Sequence, residues 1–194
     1  MSLRPLIAIG LALPLAACLS LGGKPPKLLL TLTPAATMAP GTARTARDGT
    51  AVTVIPPSVP QEIAVLRLLV HSGTTVTYLK DVQWTDAPNR LFRDLLAEAV
   101  AVRTSHPVLD IRQFSLAPGI RLTGRLESFG IDADTAMAVV TYDAALSRPG
   151  VEGVVTRRFE TRVAANAANA AAAGGALNQA ANQVAADVAD WIGG

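Results

Sequence analysis

Residues 120–127, Ile120-Arg121-Leu122-Thr123-Gly124-Arg125-Leu126-Glu127, set apolar Ile120, Leu122 and Leu126 against Arg121, Thr123, Arg125 and Glu127. Successive side chains of a strand point to opposite faces, so a period of two predicts a β-strand with one buried and one wet face. Gly130 to Asp134 supplies a turn, and Thr135 to Leu146, rich in Ala and Val, a long second strand. Arg148-Pro149-Gly150 is a second turn, followed by a third strand, Val154 to Val163, that carries Arg157, Arg158, Glu160 and Arg162. Turns this short join antiparallel neighbours, because a parallel crossover needs a dozen or more residues. The expectation from Ile120 to Val163 is an antiparallel meander.

Toward the C-terminus the Ala/Asn stretch 164 to 173 is low in complexity, and Gly174-Gly175 weakens any helix through it. Beyond the glycines Leu177, Ala181, Val184, Val188 and Trp191 share one helical face, which predicts a terminal helix covering the sheet. Toward the N-terminus Asp86-Ala87-Pro88 reads as a helix start, with Asp86 as the cap and Pro in the first turn, where a missing N–H is harmless. Leu91, Phe92, Leu95, Leu96, Ala99 and Val102 then repeat at three- and four-residue spacing, predicting a core-facing amphipathic helix to about Val102. Four strands precede it: Lys27 to Thr33, Ala51 to Ile55, Glu62 to Val70, and, after a turn at Ser72-Gly73, Thr74 to Lys80, in which Val76 and Tyr78 share a half-buried face. Residues 35–50 read as a loop. The fold class expected is α+β: an antiparallel sheet with an internal amphipathic helix and a C-terminal helix packed on it.

The 194 residues are half apolar but only 4% aromatic, which is compatible with one modest core. Seventeen basic residues against fifteen acidic ones give a net charge of +2, too weak a field to hold nucleic acid. One Cys and two His rule out a disulfide framework, a Cys-rich zinc site and an iron–sulfur cluster within the chain.

The chain opens with Arg4 and an apolar run from Leu6 to Leu15, the layout of a secretory signal peptide. A run of about ten residues is too short for a helix to cross the hydrocarbon, which takes roughly 20. Leu15-Ala16-Ala17-Cys18 follows and resembles the bacterial lipobox, in which small residues admit a dedicated peptidase and the thiol carries the diacylglyceryl group. The expectation is a lipoprotein signal peptide over 1–17, an acylated tether over 18–26 containing Gly22-Gly23-Lys24-Pro25-Pro26, and one domain over 27–194. Leu19 is not the Asp associated with inner-membrane retention, so the outer membrane is favoured by resemblance.

No catalytic, cofactor or metal residue is assigned. His71 and His106 have no motif beside them, Ser128-Phe129-Gly130 is not a nucleophile elbow, and Asp132 and Asp134 suit a turn. Lys24 is followed by Pro25, not by the Ser or Thr of a phosphate loop. Asp81 and Asp86 flank Trp84 and suit capping and solvation as well as ligand contact, and Trp84 reads as a core anchor.

Five markers in order give a resemblance over most of the mature chain: Cys18; Leu30-Thr31-Leu32 and Pro34; Pro60-Gln61-Glu62-Ile63-Ala64-Val65-Leu66-Arg67; Tyr78 and Trp84 ahead of Pro88 and the helix; and the Ala-rich closing helix ending at Trp191. The chain resembles the ABC-type transport auxiliary lipoprotein family, the PqiC-type outer-membrane lipoproteins. Two positions depart from the family pattern, with Leu30 where Tyr is usual and Val59-Pro60 where Arg-Pro is usual. The resemblance implies a role beside an inner-membrane ABC transporter and a periplasmic MCE-domain protein that passes phospholipids or other apolar molecules. It places this chain at the outer membrane through acylated Cys18, leaves homo-oligomerisation into a ring open, and implies no enzymatic step. The alternative is a lipoprotein chaperone, plug or pilot for an outer-membrane barrel or secretin.

Overall fold

The computed structural model describes residues 26–110, 119–166 and 168–194; the leader, Cys18 and the tether as far as Pro25 lie outside them. The elements are β1 (Leu28–Leu30), β2 (Val52–Val54), β3 (Arg67–Ser72), β4 (Thr75–Trp84), α1 (Pro88–Arg103), β5 (Ile120–Asp132), β6 (Met137–Ser147), β7 (Val155–Ala164) and α2 (Ala170–Gly193). They build one seven-stranded sheet of order β1-β4-β3-β5-β6-β7, with β2 also paired to β5. The fold is α+β, and both helices pack on one face of the sheet.

β5, β6 and β7 form the antiparallel meander that the alternation dictates. Its inner face is Leu122, Leu126, Phe129 and Ile131 of β5 and Ala138, Val140, Tyr142, Ala144 and Leu146 of β6, all buried. The phase of β5 changes within the strand: a bulge between Leu126 and Ser128 moves the apolar set from even to odd positions, so that Phe129 and Ile131 still reach the core. Residues 130–132 therefore continue the strand, and the turn falls at 133–136, where the Asp132 carboxylate accepts the Asp134 and Thr135 amides at 3.1 and 3.2 Å.

The front of the chain departs further from expectation. The sheet is mixed, because β1 runs parallel to β4, and β2 and β3 both run parallel to β5. β5 is 13 residues long, and the two short strands share one of its edges: β2 takes Ile120–Leu122 and β3 takes Leu69–His71 partners at Gly130–Asp132. The third strand starts at Arg67, not Glu62. Pro60 accepts the amides of Ile63 and Ala64, which coils 60–66 into turns and seats Ile63 in the core. β1 stops at Leu30 because the next peptides are drawn to α2: Asn178 Oδ1 accepts from Thr33 N, and Asn182 Oδ1 from Ala35 N, both at 2.7 Å. β4 runs on to Trp84, and Val76 is exposed while Tyr78 is half-buried.

α1 begins at Pro88, whose ring holds Ala87 in extended backbone (φ −57°, ψ 135°). Ala87, not Asp86, is the cap residue; Asp86 instead accepts the Ala87 amide and binds the guanidinium of Arg90 one turn on. Phe92, Leu95, Leu96 and Val100 are buried, and Phe92 meets Tyr142 edge-on at 5.3 Å. α2 runs straight through Gly174-Gly175, capped by Asn169, which accepts the Ala172 amide at 3.0 Å. Gly174 lets β1 approach closely, since a β-carbon on it would lie 2.7 Å from Cδ2 of Leu30 and that side chain would have to shift. Close packing of β1 on the helix outweighs the low propensity, about 1 kcal/mol per glycine. Trp191 is half-buried against Phe159, with ring centroids 5.6 Å apart.

Candidate partner-binding face

Most of the side chains weighed from the sequence hold the fold. Trp84 is buried, tilted against Phe129 at 5.2 Å. Asp134 accepts the Ser72 hydroxyl and the Gly73 amide at 2.8 and 2.6 Å, tying the β3–β4 turn to the β5–β6 turn. Asp81 pairs with Lys27 at 3.1 Å. His106 lies after α1 with its Nδ1 2.8 Å from the Thr50 carbonyl, far in the topology from His71.

His71, Ser128 and Asp132 do come together, around a cavity of about 190 Å³ that Arg162 and Val139 also line. His71 faces Asp132 across the parallel β3–β5 pair. No hydrogen bond joins Ser128 to His71 among the described residues. Among the described residues no group of three or more His, Cys, Asp or Glu is placed to hold a metal ion. No described helix is long and apolar enough to cross a membrane.

The organised polar surface is the sheet face without helices. Residues opposite one another in a ladder share a face, which sets Arg125 beside Asp143, Asp143 beside Arg158, and Thr141 beside Glu160. Arg158 donates to both oxygens of Asp143 at 2.6 and 2.5 Å. Glu160 accepts from Arg162 Nε at 2.8 Å and from the buried Thr141 hydroxyl at 2.9 Å. Arg125 pairs with Glu127 at 2.9 Å, and Arg162 reaches Asp132 at 3.6 Å.

The electrostatic consequence is uniform. Hydrogen bonds from Arg158 hold the Asp143 carboxyl below its ordinary range, and those from Arg162 and Thr141 do the same for Glu160. Arg158 is raised by Asp143 in return. Asp143 and Glu160 are thus held in their charged forms by paired arginines, so the face carries ordered ion pairs on its strands. β7 bounds it with a free edge guarded by Arg157, Arg158 and Arg162, and Val151, Val154 and Val155 stand exposed where that strand begins.

Asp143 and Thr141 were not singled out in the sequence. A lone carboxylate amid an Ala/Val strand, matched by charged residues spaced two apart on the next strand, Arg158, Glu160 and Arg162, is the signal that reveals the ladder once the register is known.

The family model of the ABC-type transport auxiliary lipoprotein component matches residues 30–189. Two crystal structures share the fold over nearly all of their own length. One, of an uncharacterized protein, has a TM-score of 0.68 at 15% identity and covers 86% of this chain and 99% of that one. The other, of protein XCC0632 from Xanthomonas campestris, has a TM-score of 0.66 at 19% identity and covers 84% and 93%. No curated protein matches the chain. The match runs from β1 into the last turns of α2, taking in the strap on α2, the charged meander and both helices, so this chain belongs to the ABC-type transport auxiliary lipoprotein component family.

Proposed function

We propose that the protein is an outer-membrane lipoprotein, anchored at the periplasmic face through Cys18, that docks the periplasmic MCE-domain protein of an ABC-type intermembrane lipid transport system. The observation that carries this reading is the family match over residues 30–189, immediately downstream of the Leu15-Ala16-Ala17-Cys18 sequence. Residues 1–17 act as the signal peptide and 18–26 as the acylated tether. Cleavage leaves 16 basic and 15 acidic side chains, so the anchor depends on acyl chains, not on charge. Each buried CH₂ contributes about 0.8 kcal/mol, which makes several chains a lasting attachment. The helix-free sheet face, with its ordered ion pairs, is the side we assign to the MCE protein, since the other face is covered by α1 and α2.

Photo-crosslinking in intact cells tests this, with the reactive group at Thr123 or Thr156 on the helix-free face and at Gln179 on α2. The expected product joins Thr123 or Thr156 to an MCE-domain protein. A barrel protein or secretin captured in its place identifies an assembly chaperone or pilot and overturns the transport reading.

A further inference from the structure

The sheet is least regular where β1, β3 and β4 meet. Arg67 pairs with Gln83 while Leu69 pairs with Tyr78, so β4 carries residues there that have no counterpart on β3. Asp81, in that bulge, has φ +61°, a left-handed conformation unusual for a residue with a side chain. Two contacts hold it: the Lys27 amide donates to the Asp81 carbonyl at 2.9 Å, and Lys27 Nζ pairs with its carboxylate at 3.1 Å.

The bulge opens a cavity of about 470 Å³, lined by Arg67, Tyr78, Lys80, Asp81 and Gln83, with Pro26 at its lip. Lys27 neutralises Asp81, whereas Arg67 and Lys80 have no ion-pair partner among the described residues. The Arg67 guanidinium rests over the Tyr78 ring, 5.5 Å from its centroid. One fork-shaped cation and one compact cation bordering the same cavity form a set suited to a phosphate group.

Two further observations say which phosphate. Leu29 and Leu66 are 59% and 42% exposed, among the few large apolar side chains left in solvent. Leu29 faces Gln83, which faces Arg67, so an apolar side chain stands on the same face as the cationic cavity, and Leu66 directly precedes Arg67. That pairing of leucines with cations and an interfacial tyrosine suits the boundary between headgroups and acyl chains. Pro26 also follows Cys18 by eight residues, which allows at most about 28 Å of chain between anchor and cavity.

We propose that this cavity binds the phosphate of a bilayer phospholipid, with Arg67 donating paired hydrogen bonds, Lys80 supplying a point charge, and Leu29 and Leu66 resting against the acyl region. The inference rests on the lipid-anchor reading of Cys18. It orients the molecule: the β1–β4 edge lies on the membrane, and β7, at the opposite edge of the sheet, points into the periplasm.

Native mass spectrometry of the purified full-length lipoprotein, released from maltoside micelles doped with phosphatidylglycerol, tests the cavity and the anchor separately. The covalent mass at Cys18 reads the anchor, and the non-covalent adduct reads the cavity. The expected result is one phospholipid bound per chain, weakened at least about tenfold by Arg67→Gln with Lys80→Gln. Lys80→Gln alone, a change at an exposed lysine, gives a partial loss without threat to folding. Arg47→Gln with Arg121→Gln, elsewhere on the surface, leaves the adduct unchanged. Equal loss in that control, or no loss in the cavity variants, overturns the proposal. Inorganic phosphate that binds by itself and abolishes the adduct shows a free-phosphate site and overturns the lipid assignment. A Cys18 without acyl mass sinks the anchor and the orientation drawn from it, whereas an acylated protein without adduct sinks the cavity alone.

Discussion

Asn182 and Thr33 lie 149 positions apart in sequence, yet the side-chain amide of Asn182 donates to the Thr33 carbonyl at 2.9 Å. The same side chain accepts from Ala35 N, and Asn178 accepts from Thr33 N, so two asparagines on one face of α2 replace a neighbouring strand for this strap. Removing one partner of such bonds leaves backbone groups to find water. Asn182→Ala is expected to lower unfolding free energy by about 1–2 kcal/mol. Hydrogen exchange should then rise at Thr33 to Met38 and stay unchanged in β6; protection retained at Ala35 would contradict this role.

Glycine positions divide by what surrounds them. A β-carbon on Gly124 would fall 2.1 Å from the Asp143 carbonyl oxygen and 2.8 Å from the Tyr142 ring, and its φ of +153° is unfavourable for other residues. Gly175 has open space and sits inside α2. Gly175→Ala should stabilise by about 0.5–1 kcal/mol through helix propensity, whereas Gly124→Ala should destabilise by more than about 2 kcal/mol. Urea unfolding of both variants checks the opposite signs.

How much of this was legible beforehand follows from the range of the interactions. The alternation from Ile120 and the stripe from Leu91 are local signals, and they located β5, β6, β7 and α1. The start of α2 was not legible, because Gly174 packs against Leu30, far away in the chain, and Gly175 has no close neighbour to mark it. The coil at 60–66 hid behind β-prone Ile63, Val65 and Leu66, whose neighbours' amides turn back to Pro60. The parallel pairings β1–β4 and β3–β5 leave no periodicity at all. At the charged face the arginines of β7 were visible, but their partner Asp143 depends on register.

Trp84 and Tyr142 anchor opposite sides of the core, Trp84 on Phe129 and Tyr142 on Phe92. Trp84→Ala should cost about 3–5 kcal/mol by cavity formation. Burial pushes the Tyr142 hydroxyl above its ordinary pKa, and it donates to the Thr123 carbonyl at 2.7 Å. Tyr142→Phe strands only that acceptor, so a loss near 1 kcal/mol is expected from thermal unfolding, well short of the tryptophan variant.

Acid should weaken the fold through the ladder. The folded-state pKa values of Asp143, Glu160 and Asp132 are depressed, by Arg158, by Arg162 with Thr141, and by Thr135 respectively. A depressed carboxylate contributes stability above its unfolded pKa of about 4 and loses it as pH falls through the folded value. Unfolding midpoints in urea should therefore be flat from about pH 7 to about pH 5 and decline below about pH 4. Asp143→Asn with Glu160→Gln should flatten that decline, and an unaltered profile would show that these pairs are not its source.

The strand pairing also sets an order of assembly. The hairpins from β5 to β7 connect through short turns, so their ends need travel little to meet. β2 has its sheet partner in residues 120–122, and β1 pairs with β4 and packs on α2. During synthesis or export from the N-terminus, β2 must wait for residues 120–122, and β1, although β4 reaches it at 82–84, must wait for α2 at 170–193 before its other side is covered. The neck that leads to Cys18 thus stays unclasped longest, and pulse-labelled refolding should find Leu28–Leu30 protected last.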